Sequence, residues 1–245
     1  MSPAVTWGTA QRVLSQLRRD PRTLALLMVV PCVLMVILRY AFDGQPAIFD
    51  EIGAPLLGLL PFITMFVVAS IAMLRERTSG TLERLMSMPV AKIDLLGGYA
   101  IAFGAVALVQ TILLAALSLG LLGLDTARSA WLLVALAVAN ALLGMSLGLF
   151  VSAFATSEFQ AVQFMPAVVL PQLLLCGLFV ARDQMAGWLE AISYVLPLTY
   201  AYDALAKATS AAPLGGWFAV DVIVVVGVTL AALALGAATL RRRTP

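Results

Sequence analysis

The 245-residue chain is 62% apolar and 11% charged, with a net charge of +2 and a mean hydropathy of +1.01, whereas soluble domains run about 45–50% apolar and about 25% charged. One globular core of this length has no room for so much apolar surface and the excess requires a bilayer, so a soluble enzyme, a secreted disulfide scaffold and a disordered regulator are poor fits. The chain has no histidine, and its two cysteines, Cys32 and Cys176, sit inside apolar runs, which removes His-based general bases, His metal or haem ligation and a disulfide framework.

The first 22 residues read as an interfacial helix. Trp7, Ala10, Val13, Leu14 and Leu17 share one helical face and Arg12, Gln16 and Arg19 fall opposite, the pattern of a helix lying in the plane of the inner leaflet. Arg18 sits at the edge of the apolar face, where its stem can snorkel. The helix serves either as a topology anchor or as a mechanical element. Six apolar stretches follow, approximately 23–40, 55–74, 93–124, 130–154, 161–180 and 217–240. Each approaches the roughly 20 residues a helix needs to cross a hydrocarbon core about 30 Å thick. They are continuously apolar rather than alternating, which predicts helices and disfavours a barrel. The first is read as a retained span, because no A-x-A cleavage site follows Tyr40. The third exceeds one crossing and is expected to tilt or to extend past the headgroups.

The second span carries Phe62, Met65 and Phe66, and the fifth carries Gln163, Phe164, Met165, Pro166, Pro171 and Gln172. Polarizable and aromatic groups with a few amides suit a path for amphipathic molecules; ordinary helix packing is the alternative at each position. Between the second and third spans, Ser79 is a candidate N-cap, Glu83 lies near a positive helix end and Pro89 stops the helix. Leu82, Leu85 and Met86 form an apolar stripe on this otherwise charged segment. So short a helix is marginal alone and needs lipid headgroups or a cytoplasmic protein to dock against. In the fourth span, Gly144-Met-Ser146-Leu-Gly148 fits both the G-x-S-x-G nucleophile pattern and the G-x-x-x-G packing pattern. With no histidine to activate Ser146, packing is the reading. The stretch from Met185 to Leu205 is too polar and too broken by Pro197 to span, yet too apolar for a free loop, so a half-inserted pair of short helices is expected. Arg39 and Asp221, near the ends of their spans, read as interface anchors.

With both termini in the cytoplasm, the inner side holds Arg12, Arg18, Arg19, Arg22, Arg75, Arg77, Arg84, Lys92 and the Arg241–Arg243 run, while the outer side keeps only Arg39, Arg128, Arg182 and Lys207. That asymmetry obeys the positive-inside bias and fixes six spans with both ends inside.

Glu76, Gly80, Thr81, Leu82, Glu83, Leu85, Pro89 and Val90 resemble the E-x-x-x-G-T-L-E-x-L…P-V element of type-2 ABC permeases, and Leu196-Pro197-Leu-Thr199-Tyr200 is similar to the Leu-Pro-x-Thr-Tyr turn of that family's outer re-entrant hairpin. Six spans and an inner-leaflet elbow helix extend the resemblance over nearly the whole chain. It implies an all-α integral membrane protein with one transmembrane domain: elbow 1–22, bundle 23–240 and basic tail 241–245. The implied location is the plasma membrane of a bacterium. By resemblance, Glu76, Arg77, Ser79, Gly80, Thr81, Leu82, Glu83 and Leu85 form a coupling helix against a separate ATPase subunit, and Trp188, Pro197 and Tyr200 belong to the outer re-entrant gate. Two ATPase subunits and a second permease, identical or paralogous, complete the implied exporter. Its path runs along the first, second and fifth spans, and its cargo is an amphipathic drug or lipid, with polysaccharide a weaker option. One departure is Leu205-Ala206-Lys207, where the family commonly has Leu-Arg.

The P-loop needs a lysine directly after glycine, but Lys92 and Lys207, the only lysines, follow alanines. The chain is therefore expected to be no enzyme and to bind no cofactor, with ATP and Mg on the partner ATPase and no nucleic acid involved. Ion-coupled carriers place titratable groups near mid-membrane, and almost none are found there. A secondary carrier or a non-transporting assembly factor is the alternative function.

Overall fold

The structure, a computed structural model, describes residues 2–81, 91–125, 129–210 and 213–239. In chain order it comprises α1 (Pro3–Arg18), α2 (Pro21–Ala41), α3 (Pro46–Thr78), α4 (Lys92–Gly120), α5 (Ala130–Val151, prolonged by a 3-10 turn Ser152–Phe154), α6 (Glu158–Leu175), α7 (Gly187–Ser193), α8 (Pro197–Thr209) and α9 (Gly216–Thr239). There is no strand among the described residues. Proline, which has no N–H to lose at a helix start, occupies the first turn of α1, α2, α3 and α8. The helices α2, α3, α4, α5, α6 and α9 are long and apolar enough to cross a membrane, which bears out six spans.

Several boundaries move. The second span begins at Pro46 rather than residue 55 and its helix runs 33 residues, because Phe49, Gly53 and Ala54 are buried and continue the apolar face outward. The third helix stops at Gly120, and the chain turns through Gly123 at φ +70°. The fifth begins at Glu158, where Ser157 accepts the Gln160 N–H, and stops at Leu175 rather than 180, just before Gly177 at φ +106°.

The helices α3 and α5 make the centre of the bundle: 56% and 67% of their apolar windows are buried, against 17% for each of α2, α6 and α9. Two glycines allow this. A Cβ on Gly144 would lie 2.2 Å from the Phe62 carbonyl oxygen, and one on Gly148 would lie 2.3 Å from that of Phe66. The expected packing role of the Gly144–Gly148 motif is therefore borne out. Ser146 is fully buried and donates its hydroxyl to the Leu143 carbonyl of its own helix.

A polar link ties the first three spans together. Pro31, inside α2, has no N–H to give the Leu27 carbonyl one turn earlier. Gln110 of α4 replaces that donor, its Nε2 lying 2.8 Å from Leu27 O and 2.9 Å from Thr64 Oγ1 of α3.

The elbow helix packs more deeply than expected. Thr9, Ala10 and Val13 are buried, and Gly98 of α4 accepts Thr9 so closely that a Cβ there would lie 2.5 Å from the threonine Cβ. Leu14 and Leu17 are partly buried against the same cluster. Trp7 is exposed and makes no part of this packing. Arg12 and Gln16, assigned to the face opposite, point at the bundle, because a carboxylate waits for them there.

Candidate functional site

Successive side chains on a helix step by about 100°, so three neighbours at a helix end face three directions. Arg75, Glu76 and Arg77, at the last turn of α3, use this to reach three elements. Arg75 donates Nε and Nη2 to the two carboxylate oxygens of Glu158, at 2.7 and 3.0 Å, in a bidentate pair with the first turn of α6. Glu76 turns inward and is 6% exposed. Its Oε1 accepts Arg12 Nη1 at 2.8 Å and Gln16 Nε2 at 3.3 Å, both from α1. Arg12 Nη2 also donates to the Tyr99 hydroxyl of α4 at 3.3 Å. Arg77 reaches the far end of α9, with Nη2 3.5 Å from Thr239 Oγ1.

The exit from this anchored end is sharp. The Ser79 N–H bonds to the Arg75 carbonyl, and Gly80 follows at φ +71°, the left-handed position that ends helices and favours glycine. Ser79 is therefore the C-cap of α3, not the N-cap of a new helix: its backbone is helical (φ −80°, ψ −3°) and its hydroxyl lies 2.9 Å from that of Thr81. Leu82, Glu83, Leu85 and Pro89 lie outside the described residues. On the other side of the cluster, Asp20 caps α2, accepting the backbone N–H and the hydroxyl of Thr23; these bonds hold its carboxyl below the usual carboxylate range.

The path residues divide into two groups. Phe62, Met65 and Phe66 are fully buried inside the chain's own bundle, because Gly144 and Gly148 bring α5 hard against that stretch of α3. Phe164 and Met165 of α6 pack against the cluster that contains Phe62 and Phe66. On α6, Gln163 is exposed and Phe164 and Met165 are half-buried, while Gln172 is buried with Nε2 on its own Val168 carbonyl and Oε1 unpartnered. Phe159, Val162, Leu170 and Leu174 remain exposed on α6, so this helix keeps an open face.

At the other end of the bundle, α7 and α8 form the expected pair of short helices. Pro197 opens α8. Thr199 donates to the Ser193 carbonyl and Tyr200 to the Tyr194 carbonyl, each at 2.8 Å, which closes the turn. Trp188 is exposed on α7. The Tyr194 phenol donates to Glu190, whose carboxylate pushes the phenol pKa up. Two ion pairs that sequence reasoning missed fix this region: Arg182 with Asp203 at 2.7 Å, and Lys207 of α8 with Asp221 of α9 at 2.5 Å. Asp221, near the start of α9, is 3% exposed and joins two elements. Arg39 donates to the Leu122 carbonyl and lies over the Phe49 ring. The signal for both missed pairs was present as charges inside apolar stretches, which need partners. Among the described residues no group of three or more His, Cys, Asp or Glu side chains converges on a metal-sized site.

Residues 5–209 match the family described as "ABC-2 type transporter". The chain belongs to that family. Similar ABC proteins include "ABC transporter G family member 20" of Dictyostelium discoideum, 25% identical over 156 residues, covering 64% of this chain and 21% of that protein. "Probable multidrug ABC transporter permease YbhS" of Escherichia coli is 26% identical over 135 residues, covering 55% of this chain and 36% of the relative. "Inner membrane transport permease YhhJ" of Escherichia coli is 30% identical over 167 residues, covering 66% and 43%. The chain therefore spans less than half the length of each of these ABC-2 relatives.

Proposed function

We propose that this chain is the permease subunit of an ATP-driven exporter that moves an amphipathic drug or lipid-like molecule across a bacterial plasma membrane, energised by a separate ATPase subunit. The observation that carries the proposal is the triple tether at the end of α3. Any displacement of the segment after Gly80 is delivered at once to α1 through Glu76, to α6 through Arg75 and to α9 through Arg77. Nucleotide bound and hydrolysed on two partner ATPase subunits supplies the displacement. Glu83, Thr81, Leu82 and Leu85 make the contact with the ATPase. Glu76 is a positioning residue, because its Oε1 is held by Arg12 and Gln16 of α1 and the side chain faces inward. The second permease subunit, identical or paralogous, sits on the open face of α6, so that Gln163 and the half-buried Phe164 and Met165 border the path between subunits. Trp188, Pro197 and Tyr200 close it on the outer side.

The multidrug wording attached to YbhS supports this cargo class, as do the amide, aromatic and thioether groups of α6. The test is Glu83→Arg in the assembled complex, with assembly monitored separately. ATPase stimulation and export are expected to fall together while the subunits still copurify; unaltered coupling rejects the assignment. An ion-coupled carrier is favoured by one observation, the buried Asp221 carboxylate with its half-exposed partner Lys207. Transport by the permease in vesicles lacking any ATPase would establish that reading and overturn the exporter.

A further inference from the structure

Between the elbow helix and the bundle lies a cavity of about 310 Å³, within the range of small-ligand pockets. Its walls are apolar: Val13 and Leu17 of α1, Val68, Ile71 and Ala72 of α3, and Phe103 of α4. Polar groups gather at one end, where Asp20, Gln16, Arg75 and Glu76 line it. Gln16, Arg75 and Glu76 also line a polar recess that continues toward Ser79 and Thr81. The compartment is thus apolar at one end and hydrophilic at the other, the shape of an amphipath.

The charges at the polar end are not equally satisfied. Arg75 is held by both oxygens of Glu158 and has little to offer an anion. Asp20 keeps an acceptor-only carboxylate at the rim. Glu76 lines the cavity, is more than nine-tenths buried, and uses only Oε1 for Arg12 and Gln16. Its Oε2 is buried with no hydrogen-bond partner. A desolvated carboxylate oxygen left unpaired is costly, and a cation that reaches it recovers that cost. Arg12 also has an unpartnered Nε, but Arg12 does not line the cavity. The Tyr99 hydroxyl, which also lines the cavity, accepts from Arg12 and lies beside Glu76; the unmet demand facing the cavity is therefore for a hydrogen-bond donor at Oε2, which a cation meets most strongly.

From this geometry we infer that the space between α1, α3 and α4 binds a cationic amphipath, its ammonium on Glu76 Oε2 with Asp20 nearby and its alkyl or aryl body among Val13, Leu17, Val68, Ile71, Ala72 and Phe103. The site is separate from the α6 path and holds whether or not that path carries drugs. Occupancy fills the space between α3 and the elbow helix, which itself packs chiefly on α4, so it fixes the position of α1 relative to the tether. An ammonium on an apolar body comes from two sources, the ethanolamine headgroup of a membrane phospholipid or a free alkylamine.

The full chain in phosphatidylcholine nanodiscs, with no ATPase or nucleotide present, tests the site independently of transport. The probe is a decylammonium carrying a chain diazirine, compared with the corresponding neutral alcohol, and labelled peptides are mapped by mass spectrometry. The amine is expected to label peptides containing residues 13–17 and 68–72 saturably, and the alcohol to label them weakly. Losing one charge-assisted contact in Glu76→Gln weakens the amine about tenfold. Ala72→Phe fills the apolar end and removes labelling while leaving every polar contact in place, which answers the question even where Glu76→Gln perturbs folding. Competition by phosphatidylethanolamine mixed into the disc assigns the site to membrane lipid; no competition assigns it to free amines. Equal labelling by amine and alcohol, or labelling that survives Ala72→Phe, overturns the inference.

Discussion

Replacing Gly148 by alanine adds one methyl group where α5 meets α3. That Cβ would lie 2.3 Å from the Phe66 carbonyl oxygen, and at Gly144 the corresponding distance to Phe62 is 2.2 Å. Contacts below 3.0 Å are essentially never made by real Cβ atoms, and the obstacle is backbone, which cannot rotate aside. The helices must part by at least 0.7 Å at Gly148 and 0.8 Å at Gly144. A gap of about 0.5–1 Å forfeits a quarter to a half of the dispersion energy of the atoms it separates, and overpacking of this kind costs about 1–3 kcal/mol. Alanine's better helix propensity returns up to about 1 kcal/mol. Gly148→Ala is therefore expected to lose about 0–2 kcal/mol net when the full propensity gain is realised, and about 1–3 kcal/mol relative to a glycine-to-alanine change that meets nothing. Gly227→Ala, at a position in α9 with nothing within 4 Å, keeps the propensity gain and loses nothing. The measurement is unfolding in mixed micelles titrated with sodium dodecyl sulfate and followed by helical circular dichroism. Ser146→Ala, the change fatal to a nucleophile, removes one bond within its own helix and should shift the midpoint far less than Gly148→Ala. If Gly148→Ala proves as stable as Gly227→Ala, the close approach of α3 and α5 is wrong.

Gln110→Leu should destabilise the bundle by about 1–3 kcal/mol, since it strands the Leu27 carbonyl freed by Pro31, while the Thr64 hydroxyl keeps the Leu60 and Pro61 carbonyls of its own helix; adding Pro31→Ala restores the intrahelical donor and should recover part of the loss in the same titration, and strict additivity refutes the link. Lys207→Met leaves the Asp221 carboxylate buried and should cost about 1–3 kcal/mol, whereas Lys207→Met with Asp221→Leu should recover most of it, because an unpaired buried charge costs more than a missing pair; a double variant no better than the single one would show that the pair itself stabilises.

The number of spans was legible because length and apolarity alone decide whether a helix can cross a bilayer. Which side of each span faces protein was not. In water, burial leaves a period of 3.6 residues, since the outward face must be polar. In a bilayer both faces are apolar, and Phe62 at the centre of the bundle looks in sequence like Leu174 on its open surface. That is why sequence alone does not tell the fully buried Phe62, Met65 and Phe66 from the half-buried Phe164 and the exposed Gln163. The informative residues are those whose chemistry the bilayer penalises. Gly144 and Gly148 give up side-chain contact for close approach, and their spacing gave the α5 interface correctly. Glu76, Asp221 and Gln110 put polar atoms where water is scarce, so each must find a partner from another element: Arg12, Lys207 and the Leu27 carbonyl. The partner lies 64 residues away for Glu76 and 83 for Gln110, distances over which one sequence holds no pairing signal. Even so, each such residue constrains the bundle more than any leucine does, because the number of compatible partners in a chain with 28 ionisable Lys, Arg, Asp and Glu side chains is small. Applied to Arg75, Glu76 and Arg77, the rule requires three partners on three faces of one helix end, which brings α1, α6 and α9 together at the last turn of α3.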